Sequence, residues 1–372
     1  MSSADRFDAR LESLRGLAAV AVVVTHTTAI FRVDGSSAFW TLPLSQQTIH
    51  TWPLELLTAV LNPGSAVILF FVLSGYVLSI SLDQSGASLA GYGIKRAFRL
   101  LPPMWASIAV MAVISSTFPL FNAAPYSEWF LGTFQPFGPA DVLENAVVLS
   151  SKANPVTWTM YVEAIGSALV PASLWLSGRH GRTGSYVLLA ALCGLTVLAF
   201  PRQTFIYLLC FQLGVTLAKF PPSTAVSPAV LAASGFLIFF LDRLALHGPW
   251  SIIANTVGAA LILMAIKRGF AERSLLHGFV RSVGRCSYSI YLFQLPVIYA
   301  TGLLIRHIID PGLAATVLAL AVVLTATLSL AKLTYALFEQ PSVRAGRHLA
   351  RRAAESGSET RARPIEDAVV DS

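Results

Sequence analysis

Repeated apolar stretches about as long as a bilayer is thick leave this chain few ways to fold. Ten can be drawn, near residues 16–33, 64–82, 103–121, 155–176, 184–201, 203–219, 227–242, 250–267, 286–306 and 313–337. A helix needs roughly 20 mostly apolar residues to cross a hydrocarbon core of about 30 Å. In that solvent each backbone N–H and C=O must be satisfied inside the protein, which a helix achieves within one segment. The expected fold class is an all-α integral membrane protein, a bundle of about ten transmembrane helices. Composition agrees: of 372 residues, 55% are hydrophobic and 12% charged, against about 25% charged in a soluble domain.

The net charge of +7 reads as an orientation signal rather than a nucleic-acid footprint. With the N-terminus inside, 20 of the 26 basic residues fall in cytoplasmic segments and five in outer ones, with Lys332 inside the last span. This positive-inside bias predicts both termini cytoplasmic in a plasma (inner) membrane, and long outer connections near 32–63 and 122–154. The first span reads as a retained signal-anchor, because no convincing cleavage site follows it. Residues 1–349 form the expected transmembrane domain. Residues 350–372, polar and mixed in charge, are expected to be a disordered tail. Cys193, Cys210 and Cys286 have neither metal-ligand nor disulfide spacing, so no metal is expected.

Polar groups inside spans are costly and mark functional candidates. His26 follows Arg15 by eleven residues, about 20° past three full turns and about 16 Å along the helix. The two therefore share a face, with Arg15 at the cytoplasmic edge and His26 near midplane. A neutral imidazole there suits a general base; it suits equally a structural hydrogen bond between helices. Glu163, eight residues into the fourth span, reaches a similar depth. It could orient His26, pair with a buried cation, or simply bridge helices. Lys95, Arg96 and Arg99 precede Pro102-Pro103, which is expected to turn the chain. With Arg10 and Arg15 they form either plain topology charge or an anion site, since guanidinium forks match phosphate. Gly75 reads first as a close-packing residue. Aromatics in the outer connection, among them Tyr126, Trp129, Phe130, Phe134 and Phe137, suit an interfacial belt or sugar faces. A ligand with phosphates at one end and a reactive carbonyl about 16 Å away would join the arginines to His26. An acyl-coenzyme A has that form.

Six segments in order resemble the acyltransferase 3 family of membrane-bound acyltransferases. They are RLESLRGLAAVAVVVTH, ILFFVLSGYVLS, KRAFRLLPPMW, NPVTWTMYVE, RCSYSIYLFQLPV and YALFEQPSVRAGR, and together they cover residues 8 to 347. The resemblance implies acyl transfer, acetyl in the commonest case, from acetyl-CoA or another acyl-CoA to a hydroxyl. The implied acceptor is a sugar or lipid-linked glycan of the cell envelope, with membrane lipids as the other contact. It implies His26 as the essential catalytic histidine and Arg15 and Arg99 as important arginines, with Arg10 and Arg96 beside them; the residues themselves add Glu163 as a catalytic candidate that would orient or charge-stabilise His26, and Lys95 to the donor-binding cluster. The chain departs from the family at Gln294, where relatives often carry histidine. No outer esterase-like domain follows the spans, so the stand-alone form is expected. The competing reading is a proton-coupled multi-span transporter built on His26 and Glu163.

Overall fold

The computed structural model describes residues 3–31, 52–85, 88–120, 126–200, 203–246 and 248–362. Among these, helices account for the ordered elements and no named strand occurs. They are α1 (Ser3–Thr28), α2 (Trp52–Leu61), α3 (Pro63–Ser85), α4 (Leu89–Thr117), α5 (Glu128–Thr133), α6 (Pro139–Ala146), α7 (Trp158–Leu198) and α8 (Gln203–Ile206). The second half comprises α9 (Leu208–Lys219), α10 (Pro228–Ala245), α11 (Pro249–Lys267), α12 (Glu272–Leu275), α13 (Gly278–Arg285), α14 (Ser287–Ile305), α15 (Leu313–Thr334) and α16 (Gln340–Ala362). Six helical stretches among the described residues are long and apolar enough to cross a membrane. The fold is an all-α membrane bundle.

One sequence expectation changes here. Pro102 and Pro103 do not turn the chain; α4 runs through both, so this helix begins near Leu89 and carries the basic cluster on its own first turns. In a bilayer, leaving the helix would expose more backbone than two missing N–H donors do. The predicted fourth and fifth spans correspond to the two helical runs of α7 on either side of a break at Gly181 (φ 59°, ψ −144°), a conformation open to glycine. α16 stays helical to Ala362. Pro201-Arg202, which joins the predicted fifth and sixth spans, and residues 32–51 and 363–372 lie outside the described residues.

Glycines bring the central helices together. A Cβ on Gly75 of α3 would stand 2.1 Å from the Phe211 carbonyl oxygen of α9, and one on Gly214 of α9 would stand 2.2 Å from the Val72 carbonyl oxygen. Lipid gives no hydrophobic push between helices, so such backbone approach is what holds them. Gly75 is thus a packing residue. Gly16 of α1 meets Gly284 of α13 in the same way, which fixes the helix that carries Arg15 and His26.

Two prolines leave carbonyls that other helices answer. Pro296 in α14 cannot donate to Leu292 four residues back. The Asn154 side-chain amide donates to that carbonyl instead, at 3.2 Å, and to Ser107 Oγ at 3.0 Å. Pro171 in α7 likewise frees the Ser167 carbonyl, and the Tyr92 hydroxyl of α4 donates to it at 2.9 Å. The start of α7 is thereby tied to α14 and its middle to α4, which sets the position of Glu163.

Candidate functional site: an arginine pocket below a buried imidazole

Arg15 of α1, Arg96 and Arg99 of α4 and Glu163 of α7 line one narrow chamber of about 90 Å³. Glu163 Oε1 accepts from Arg96 Nη2 in a close ion pair. Arg96 Nε also donates to Ser167 Oγ at 3.0 Å, and Ser167 Oγ donates to the Glu163 carbonyl at 2.6 Å. This clamp holds one guanidinium flat against α7. Arg15 has no hydrogen-bonded or ion-paired partner among the described residues. Arg99 Nη2 lies 4.0 Å from Glu339 Oε1 with its side chain 41% exposed. Three guanidiniums against the one carboxylate of the lining leave positive potential in a low-dielectric wall, which attracts an anion.

Glu339 is a residue that sequence reasoning quoted in a family segment but gave no role. It is the last residue of a single π-helical turn, Tyr335–Glu339, a form that recurs at functional sites. Its carboxylate is buried and accepts from Ser289 Oγ at 2.8 Å. Its other oxygen faces the partly exposed Arg99 side chain at 4.0 Å.

One wall of the chamber belongs to α14, the helix that also meets His26. Ser287, Tyr288 and Tyr291 line the chamber, and one turn beyond Tyr291 is Gln294. The Gln294 amide Nε2 donates to the Tyr291 carbonyl at 3.0 Å, and its Oε1 stands 3.1 Å from His26 Nδ1. The first bond sets the amide's orientation, so the oxygen faces the imidazole. His26 Nδ1 then carries the proton, and Nε2 the lone pair. On the other side Trp129 stacks on the ring, with centroids 5.1 Å apart.

By sequence Trp129 and its aromatic neighbours suit an interfacial belt or sugar faces, both of them exposed settings. Instead the 126–134 segment folds inward. Tyr126 and Phe130 are fully buried and stack at 4.6 Å. Ser127 pins the segment to the end of α1: its N–H donates to the Ile30 carbonyl at 3.1 Å and its hydroxyl to the Ala29 carbonyl. Those are orphan acceptors of a helix C-terminus. The same hydroxyl accepts from the Phe130 N–H at 3.1 Å and caps α5.

The predicted site residues therefore divide. Arg15, Arg96, Arg99 and Glu163 come together. Glu163 does not orient His26, because its carboxylate is taken by Arg96; Gln294 holds the imidazole instead. Arg10 is not part of the chamber. It pairs with Glu272 of α12 at 3.4 Å and lies 5.5 Å from the Phe7 ring centroid. Lys95 is exposed and points away from the chamber, one residue and about 100° round the helix from Arg96.

A membrane-embedded helical bundle with an arginine-lined chamber on α1, α4 and α7 and, on the same α1, an imidazole oriented by Gln294 is the class defined here. The chain belongs to the acyltransferase 3 family of membrane-bound acyltransferases: a family model described as an acyltransferase domain matches residues 8–333. It is similar to nodulation protein 10 of Rhizobium leguminosarum bv. viciae, with 26% identity over 189 residues, 46% of this chain and 48% of that protein. The chain thus matches about half the length of this relative. No solved structure matches it.

Proposed function

We propose that this protein moves an acyl group, acetyl in the simplest case, from cytoplasmic acyl-coenzyme A to a hydroxyl of an extracytoplasmic glycan or related acceptor in the plasma membrane. The observation that carries the reading is that Arg15, in the arginine chamber, and His26 lie on one helix, and that Tyr291 of the chamber wall is one helical turn from the glutamine that holds the imidazole. The donor's phosphates would rest on Arg15, Arg96 and Arg99, and its thioester would reach His26.

His26 Nε2 takes the proton of the acceptor hydroxyl as the oxygen attacks the thioester carbonyl. The C–S bond breaks, an ester forms, and the imidazolium returns the proton to the departing thiolate. Gln294 keeps Nδ1 protonated throughout, so Nε2 remains the base. A glutamine does this without a second ring base, which accounts for the departure from relatives at this position.

Inverted membrane vesicles supplied with acetyl-coenzyme A labelled in the acetyl group test the reading. Label entering glycan or lipid with wild type but not with His26→Ala supports it. Absence of His26-dependent label with acetyl-, succinyl- and longer acyl-coenzyme A, despite folded protein and a glycan pool, overturns it in favour of transport.

A further inference from the structure

A second cavity, of about 1030 Å³, lies at the other end of α4 from the arginine chamber. It is formed by the last turns of α4, the α5–α6 connection and Tyr299 of α14. Met111 on its wall is twelve residues beyond Arg99, about 18 Å along the helix. Its size is at the top of the range for small-molecule sites, about 300–1,000 Å³.

Most of its polar lining side chains are committed inside the protein, the Thr133 hydroxyl apart. The Ser115, Ser116 and Gln135 side chains donate to the carbonyls of Ala112, Val113 and Leu131, and the Tyr299 hydroxyl to that of Phe118. Lys152 is paired with Asp141 at 3.1 Å. That carboxylate also accepts from the Gly138 N–H at 2.8 Å, and the two bonds hold it below its ordinary pKa. A sugar needs uncommitted amides and carboxylates for its hydroxyls; this wall presents chiefly methyl, methylene and ring surface.

The cavity also opens at the protein surface through apolar side chains. Val113 on α4 and Leu143 on α6 line it while being 64% and 69% exposed. It is two aromatic rings from the imidazole. Phe134 on its wall packs edge-on against Trp129 at 6.5 Å, and Trp129 stacks on His26.

We infer that this cavity holds the hydrocarbon chain of a membrane-embedded acceptor, entering sideways from the bilayer and presenting its head-group hydroxyl to His26. The inference rests on the acyl-transfer reading and narrows its acceptor to an amphiphile. A free, fully hydrophilic glycan would leave the cavity unused. The donor's own acyl chain is the other hydrocarbon that could come there.

The test is photolabelling of full-length protein in vesicles with a dodecyl glucoside carrying a diazirine at the chain end. Wild type, His26→Ala, Ala112→Trp and Val142→Trp are compared, each checked for an unchanged melting temperature. Expected is labelling concentrated on peptides spanning 111–120 and 131–143, suppressed by excess dodecyl glucoside, retained in His26→Ala and reduced at least fivefold in a tryptophan variant that keeps its fold. Labelling spread over the lipid-facing helices, or unchanged in folded tryptophan variants, overturns the proposal. So does competition by palmitoyl-coenzyme A but not by dodecyl glucoside, which would assign the cavity to the donor chain. Equal competition by a dioleoyl phospholipid overturns it as an acceptor site. Labelling needs no turnover, so a failed acyl-transfer assay beside positive labelling refutes the enzyme reading and leaves the chain site standing.

Discussion

His26 Nδ1 and Gln294 Oε1 stand 3.1 Å apart, and the backbone of Tyr291 decides which atom of the glutamine faces the ring. A tautomer is thus set by a carbonyl one helical turn away. Replacing His26 with alanine is expected to lower kcat by about 10²–10⁴, the usual range for a lost general base. Gln294→Leu should lower kcat less, by about tenfold, with KM for acyl-coenzyme A unchanged, because the ring remains while its orientation is lost. Gln294→His should restore most of the rate. Steady-state kinetics on reconstituted enzyme check all three; a Gln294→Leu enzyme with wild-type kcat would remove the positioning role.

The division among the basic residues gives a second expectation. Arg15→Ala should raise KM for acyl-coenzyme A by about tenfold or more, the loss of a charge-assisted contact of about 1.5–3 kcal/mol. Arg10→Ala and Lys95→Ala should leave that KM unchanged, since neither side chain lines the chamber. Titrating the donor at saturating acceptor reads this directly. Equal effects from all three would return the cluster to a general electrostatic field.

Breaking the clamp at Arg96 should cost stability. Glu163→Ala leaves a guanidinium only 13% exposed without its carboxylate, a loss of about 3–5 kcal/mol for a buried pair. The double variant Glu163→Leu with Arg96→Met should regain much of the melting temperature and still fail to bind donor. Thermal unfolding in detergent, beside a donor-binding assay, separates the two roles. A single variant that melts like wild type would show the pair to be dispensable for the fold.

The answer to Pro296 is open to a double-mutant cycle. Asn154→Ala leaves the Leu292 carbonyl without its donor, a loss of about 1–3 kcal/mol for a buried acceptor. Pro296→Ala supplies the missing N–H, so Asn154→Ala should cost less in that background. Additive losses would mean that the amide serves Ser107 and not the carbonyl.

Close approach at Gly214 predicts a folding failure. Gly214→Val puts side-chain carbons where the Val72 carbonyl and Tyr76 N–H already stand. Backbone cannot give way as a flexible side chain does, so α3 and α9 must separate. The expected result is loss of monodisperse protein on size-exclusion chromatography. Gly132→Ala, which meets nothing within 4 Å, is the control and should behave as wild type.

Much of this molecule is written in one dimension. Apolar length alone sets the membrane bundle, because lipid offers no partner to an unpaired backbone group. The eleven-residue interval from Arg15 to His26 puts both on one face of α1, because helical period is a local property. Contacts between helices are not local, and there the sequence leaves alternatives open. Glu163 could serve His26 or an arginine; helix packing gives it to Arg96, and Gln294 to the imidazole. Arg10 and Lys95 match the basic pattern as well as Arg96 does, yet their rotation about α1 and α4 sends them elsewhere. The aromatics near residue 130 read as surface, because nothing local shows that Ser127 would meet the bare carbonyls at the end of α1. Which polar group meets which is decided by the docking of whole helices, through glycine contacts and proline-orphaned carbonyls whose partners lie scores of residues away.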